Sequence, residues 1–293
     1  MPADYGVSPR GYRLPDATRL GPVKLQVSDL SRSVAYYESV IGLRAVSQGE
    51  GNARLAAHGD DTMLVGLREL RGAQPVPRRG RLGLYHFAIL VPDRATLGRF
   101  LRHAVALGVH VGMADHLVSE ALYLTDPDGL GIEVYVDRPR DSWRHENRQL
   151  AMASDPLDAE GLMAAGGSKP FTGLPAGTVI GHVHLHVGDI EKASHFYHEG
   201  LGFDKMVWNY PGALFLAAGG YHHHLGTNTW AAGQPPASEG DARLLEWEVQ
   251  VPRVSDAHAA LASLESAGHS VTRDESGGTA KDPWGTKVRL RAT

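Results

Sequence analysis

The 293-residue sequence contains no cysteine, few aromatic residues (7%) and no excess of basic ones. Without cysteine there is no disulfide, thiolate metal site, iron–sulfur cluster or cysteine nucleophile. Any transition-metal chemistry must then use imidazole and carboxylate ligands. Lys plus Arg number 29 against 33 Asp plus Glu, a formal net charge of −4, which gives no electrostatic footprint for nucleic acid. No stretch approaches about 18 consecutive apolar residues, so no membrane span is expected. The opening MPADYGVSPRGYRLP lacks the apolar run of a secretory signal, and the expectation is a soluble, cytoplasmic protein. What the sequence does have is histidine, 16 in all, in an otherwise ordinary globular composition.

The chain repeats itself. Residues 23–43 (VKLQVSDLSRSVAYYESVIGL) align without gaps with 183–203 (VHLHVGDIEKASHFYHEGLGF). The same offset carries Val91-Pro92 onto Val251-Pro252 and Gly108 onto Gly268, and a small gap brings Asp126-Pro127 onto Asp282-Pro283. Matches at one offset in two separate regions make the chain two homologous halves. Each half divides again, because a period-2 strand opens each quarter: Val23–Val27, His86–Val91, Val183–Val187 and Glu246–Val251. Asp29 and Asp189 are N-cap candidates for the helices that follow, and Gly42 and Gly202 suit their left-handed stops. The predicted unit is strand, helix and about three strands, four times over. This is an α+β fold of four βαβββ modules, in two tandem domains spanning residues 1–140 and 177–293. The intervening 141–176, rich in Pro, Gly and Ser, is a linker that Trp143 and Leu157 should pack onto the domains.

Aligning the four opening strands puts Pro22, His86, His182 and Glu246 at one position, where a core strand would be apolar. In module two, His116 precedes Leu122-Tyr123, the turn Asp126-Pro127-Asp128-Gly129, and Glu133 between Ile132 and Val134. A carboxylate on such a strand needs a charged partner or a metal. Module four has Arg289 at that place and cannot repeat the chemistry. Module three carries Tyr221-His222-His223-His224, which strand alternation splits between two faces. The histidines at 58, 103, 110, 145, 195, 198, 258 and 269 read as surface residues.

Four βαβββ modules in two halves resemble the vicinal oxygen chelate superfamily of glyoxalases, antibiotic-resistance binders and extradiol dioxygenases. The stretch His116–Glu133 is similar to the extradiol ring-cleavage signature, departing only at Ala114. GHVHLHV, YHHHLGTNTW and DRPRDSW look most like the two-domain catechol 2,3-dioxygenase group. The resemblance implies open half-barrels of mixed sheet. It also implies a 2-His-1-carboxylate Fe(II) site that binds a catechol-like diol and O₂. In the better-known extradiol enzymes the ligands lie in modules three and four. Here Arg289 and Glu246 break that pattern, and His86, Glu133 and His182 complete the set. Modules two and three must then pair around the metal, within one chain or across a homo-oligomer, leaving modules one and four as a structural pair. The resemblance further implies His223 as the base, with His222 or His224 in its place if the strand runs otherwise. Tyr123 and His116 would contact the substrate oxygen, His184 would stand behind the ligands, and Tyr221, Asn228 and Trp230 would line the pocket.

Two other readings accompany this one. A glyoxalase-like lyase or isomerase would add His224 as a fourth ligand and favour Ni or Zn, with Mn a further alternative to Fe(II). A non-catalytic sequestering protein would have an apolar, aromatic-rich cleft and a dispensable metal.

Overall fold

In the computed structural model, which describes residues 5–293, module one forms β1 (Arg19–Val27), α1 (Leu30–Tyr36), β2 (Arg44–Gly49), β3 (Asn52–Ala56) and β4 (Met63–Glu69). Module two forms β5 (Gly83–Leu90), α2 (Arg94–Ala106), β6 (Gly112–Asp115), β7 (Ser119–Thr125) and β8 (Gly131–Asp137). The segment between the halves carries a short hairpin, β9 (His145–Glu146) and β10 (Gln149–Leu150), and α3 (Ala159–Ala165). Module three forms β11 (Val179–His186), α4 (Ile190–Ser194), β12 (Asp204–Val207), β13 (Ala213–Ala217) and β14 (Leu225–Asn228). Module four forms β15 (Arg243–Val251), α5 (Val254–Ser266), β16 (Val271–Asp274), β17 (Gly277–Lys281) and β18 (Lys287–Ala292). The expected unit recurs four times, and the α+β class is borne out.

The two expected caps, Asp29 and Asp189, act as such, and Asp93 does the same for α2. Asp29, Asp93 and Asp189 accept the backbone N–H groups of Arg32, Thr96 and Lys192 at 2.9, 2.6 and 2.8 Å, satisfying donors that α1, α2 and α4 leave open. After α1 and α4 the chain makes one π-helical turn, which regular helical spacing does not foretell. Gly42 and Gly202 then reverse direction at φ of 81° and 100°, where a side chain would be strained.

Two eight-stranded mixed sheets result, and each draws one module from each half. One runs β12-β13-β14-β11-β5-β8-β7-β6, and the other β16-β17-β18-β15-β1-β4-β3-β2. The opening strands make the join, β11 antiparallel to β5 and β1 antiparallel to β15. Modules two and three therefore meet within one chain. Alternation along these strands separates two environments. Phe87, Ile89, Ile132, Val134, Val183 and Leu185 face the helices and merge with Val23, Leu25, Trp247 and Val249 of the other sheet into one core. The opposite face of the first sheet presents His86, Glu133, His182 and His184, all buried.

The two sheets are tied by a repeated contact. Tyr37 donates to Asp126 at 3.4 Å, and its counterpart Tyr197 donates to Asp282 at 2.9 Å. Each aspartate opens an Asp-Pro turn and uses its other oxygen for two backbone N–H groups, those of Asp128 and Leu130 or of Trp284 and Thr286. Burial pushes the Asp126 carboxyl up to about 7 despite these donors. The Asp-Pro-x-Gly part of the signature thus ties the turn to the neighbouring helix.

Between the halves, Trp143 is buried and donates its indole N–H to the Arg138 carbonyl at 3.0 Å, while Leu162 of α3 is fully buried. Two sequence expectations are corrected. Residues 221–224 are irregular backbone ahead of β14 rather than part of a strand, because Gly219 and Gly220 turn the chain at positive φ just before them. His198 is buried, with Nδ1 donating to the Phe203 carbonyl at 2.7 Å, rather than lying on the surface. No described helix is long and apolar enough to cross a membrane.

Candidate functional site

Strand register builds the site. Glu133 on β8 and His182 on β11 both stand opposite Ala88 of β5, so one row across three strands reads Glu133, Ala88, His182. Tyr123 on β7 extends the row, opposite Glu133. The adjacent row joins His86 of β5 to His184 of β11, then Gly226 of β14 and Phe215 of β13. Ala88 is the small residue that leaves room over the sheet between Glu133 and His182. Gly226 leaves room for His184, whose Cγ lies 2.8 Å from where a Cβ would stand.

Two bulges adjust these rows. Gly181 is the extra residue between Ile180 and His182, and a side chain there would strike the Tyr135 hydroxyl. Tyr85 is the extra residue between Leu84 and His86, so it turns into the cavity instead of joining Phe87 in the core. Its ring lies 4.8 Å from His86 and 5.5 Å from Trp230. Sequence alternation misses Tyr85, because the bulge is set by pairing with β11.

His86, Glu133 and His182 each offer a ligand atom within 4.8 Å of the others, and all three are buried. Glu133 Oε2 lies 3.0 Å from His86 Nε2 and 3.1 Å from His182 Nε2. Burial alone would raise the Glu133 carboxyl, but the two imidazoles outweigh it and hold the group well below the usual carboxylate range. Burial lowers both histidines against the pull of Glu133, favouring neutral rings. A divalent cation fits this set. His86 Nε2 is buried with no hydrogen-bond partner, despite its short distance to Glu133, so it is not aligned on the carboxylate. Two imidazoles and one carboxylate suit Fe(II), Mn(II) or Zn(II).

The matching place in the other sheet has lost this capacity. Glu246, in register with His86, lies between Lys24 Nζ at 2.8 Å and Lys287 Nζ at 3.2 Å. Arg289, in register with Glu133, pairs with Asp274.

Around the trio, hydrogen bonds set the proton positions. His116 donates Nδ1–H to the Ala153 carbonyl at 2.6 Å, so its Nε2 accepts the Tyr123 hydroxyl at 2.6 Å. Burial and the Glu133 charge raise Tyr123 well above its ordinary value and keep it a phenol. Asp137 accepts His222 Nε2–H at 2.9 Å and the Tyr221 hydroxyl at 3.2 Å, and Tyr135 donates to Tyr221 at 2.6 Å. His222 then presents a lone pair at Nδ1, which accepts His223 Nδ1–H at 2.7 Å. This leaves the lone pair of His223 on Nε2. Burial, with neighbouring imidazoles, holds His223 well below its ordinary value.

His223, Tyr123, His116, His184 and Trp230 line the same 170 Å³ cavity as the ligand trio. Four expected residues do not, the first being His222, which stands behind His223 on Asp137. His224 accepts the Ala218 N–H through Nδ1 at 3.2 Å and faces a separate cleft, and Tyr221 faces that cleft too while serving Asp137. Asn228 lies behind the wall, donating to His184 Nε2 at 3.0 Å and accepting from His186 Nδ1 at 2.7 Å. The displacements of Tyr221 and His224 follow from the irregular backbone at 221–224. Asp137 was missed, although Glu133, Tyr135 and Asp137 share one face of β8 by alternation.

Fold and site together define a member of the vicinal oxygen chelate type, and the chain belongs to the Glyoxalase/Bleomycin resistance protein/Dioxygenase superfamily, whose family model matches residues 19–134 and 179–290. It is 42% identical over 270 residues to the Catechol-2,3-dioxygenase of Bacillus subtilis (strain 168), covering 91% of this chain and 94% of that one. Among solved structures, a candidate dioxygenase from Bacillus subtilis subsp. subtilis str. 168 superposes with a TM-score of 0.65 at 15% identity, over 96% of this chain and 86% of that one. Glyoxalase I from Zea mays does so with a TM-score of 0.54 at 20% identity, over 94% and 92%. Those two likenesses speak for the fold. The expected superfamily is borne out.

Proposed function

We propose that the protein is an Fe(II)-dependent extradiol dioxygenase that opens the ring of an aromatic vicinal diol with O₂. The observation that carries this reading is the buried trio His86, Glu133 and His182, a three-ligand group with its donor atoms within 4.8 Å. The 42% identity to a catechol-2,3-dioxygenase supports it. Fe(II) held by these three residues would supply open coordination positions shared by the diol and O₂. His223 Nε2, unprotonated and lining the cavity, accepts a proton from a diol hydroxyl. Asp137 and His222 keep the other ring nitrogen occupied, so the lone pair stays on Nε2. The Tyr123 hydroxyl, in hydrogen-bond contact with His116, is positioned to donate to a substrate oxygen. Tyr85, Phe215 and Trp230 provide flat apolar surface for an aromatic ring. His224, turned to another cleft, gives no support to a four-ligand lyase site.

Anaerobic loading with Fe(II), followed by O₂ uptake with catechol, tests the reading. The expected result is diol-dependent uptake that His182→Ala abolishes and Arg289→Ala retains. Turnover of a thiol adduct without O₂ would instead identify a lyase.

A further inference from the structure

A second, larger chamber of about 710 Å³ adjoins the ligand cavity, the two sharing Tyr85, His86, Tyr123 and Trp230 in their walls. A single-ring diol needs only the inner space, so the outer volume calls for a further part of the ligand. Its rim carries a built feature. Pro77-Arg78-Arg79-Gly80 is a tight turn closed by the Gly80 N–H to the Pro77 carbonyl at 2.7 Å. Both flanks are pinned, the Val76 N–H to the Asp128 carbonyl at 2.8 Å and the Leu82 N–H to the Pro235 carbonyl at 3.1 Å. The two central residues of this anchored turn are arginines that line the chamber. Among the described residues neither forms a salt bridge or a side-chain hydrogen bond, whereas nearby Arg81 lies 3.8 Å from Asp241. No Asp or Glu lines the chamber, in a chain whose net charge is −4.

We propose that this chamber binds a carboxylate-terminated side chain of the substrate, held by Arg78 and Arg79 while the aromatic diol occupies the inner cavity. The diol end rests on the dioxygenase reading, but the anionic end rests on the turn alone. Guanidinium groups without a protein partner are free to pair with a carboxylate. The walls between, Tyr85 and Trp230, are 38% and 52% exposed and offer apolar contact along the connecting chain. His186 Nδ1 donates to Asn228 and burial lowers its affinity for a proton, and Arg78 and Arg79 are the Lys or Arg residues among the chamber's lining.

Calorimetry under anaerobic conditions tests this with two probes matched in shape, dihydroxyphenylpropanoate and its primary amide, on the Fe(II)-loaded protein. The carboxylate should bind about fivefold more tightly than the amide at low ionic strength, and this ratio should shrink in about 1 M salt. Arg78→Gln with Arg79→Gln should bring the ratio to one, and the paired lysine substitutions should keep most of it. Equal binding of the two probes by the unaltered protein overturns the proposal, as does an undiminished ratio in the glutamine variant. O₂ uptake is recorded in parallel. A charge-dependent ratio without any uptake would sink the dioxygenase reading while upholding the anion site. Uptake with both probes at equal affinity would do the reverse.

Discussion

At Ala88 a methyl group decides what the site can hold. Opposite it stand Glu133 on one neighbouring strand and His182 on the other, so a larger side chain would fill the space the cation needs. Ala88→Leu should abolish metal binding in calorimetry while costing stability about 1–3 kcal/mol by overpacking. Unchanged metal affinity would mean the ligand atoms converge elsewhere. His223→Asn should retain the metal yet slow turnover about 100-fold or more, the usual contribution of a general base. Asp137→Ala should reproduce part of that loss, in kcat rather than KM, because it acts by holding the His223 tautomer.

His224 has a different signature. Burial lowers it from 6.5 to about 3, so between those values the unfolded chain binds a proton that the folded one refuses. Stability from this group is complete above about pH 6.5 and is lost as pH falls toward 3, on the order of 1 kcal/mol per pH unit. Acid unfolding of His224→Gln should therefore show a shallower loss of stability over that interval. A curve parallel to that of the unaltered protein would rule this out.

At the scale of elements, register explains why part of the site was legible. His86, Glu133 and His182 stand out in sequence because the repeats align them against Pro22, Glu246 and Arg289. Ala88 does not stand out, since its role appears only once β5 is paired on both sides. Tyr85 is hidden by its bulge. Tyr221 and His224 mislead because period-2 reasoning assumes a strand that begins only at Leu225. Asp137 was within reach, two alternations beyond Glu133 on the same strand.

The repeated tyrosine–aspartate contacts allow a comparative prediction. Tyr197→Phe removes a 2.9 Å hydrogen bond to a buried carboxyl and should cost about 1–3 kcal/mol in denaturant unfolding. Tyr37→Phe, whose contact is 3.4 Å, should cost less. Equal costs would mean the two ties are equivalent despite their geometry.

For the whole molecule, the halves seen in sequence and the sheets seen in space divide the chain differently. Each sheet takes one module from each half, and where one sheet gathers His182, His86 and Glu133 the other has Pro22, Glu246 and Arg289, with Glu246 held by Lys24 and Lys287. Duplication thus left two equivalent places, of which one gathers two imidazoles and a carboxylate and the other is closed by salt bridges. The family, the modules and the three residues that the fold gathers at one place were readable from the repeat. The outer chamber was not, because it arises from an anchored turn between modules that no periodicity marks.

On the proposed function, this chain inserts both atoms of O₂ into an aromatic diol at a site shared by modules two and three. Turnover of catechol by the anaerobically Fe(II)-loaded protein under isotopically heavy O₂, read by mass spectrometry, tests it most directly. One ring-opened product carrying both heavy oxygen atoms is expected, and no such product from His182→Ala. A product formed without heavy oxygen, or equal labelling from the His182 variant, would contradict it.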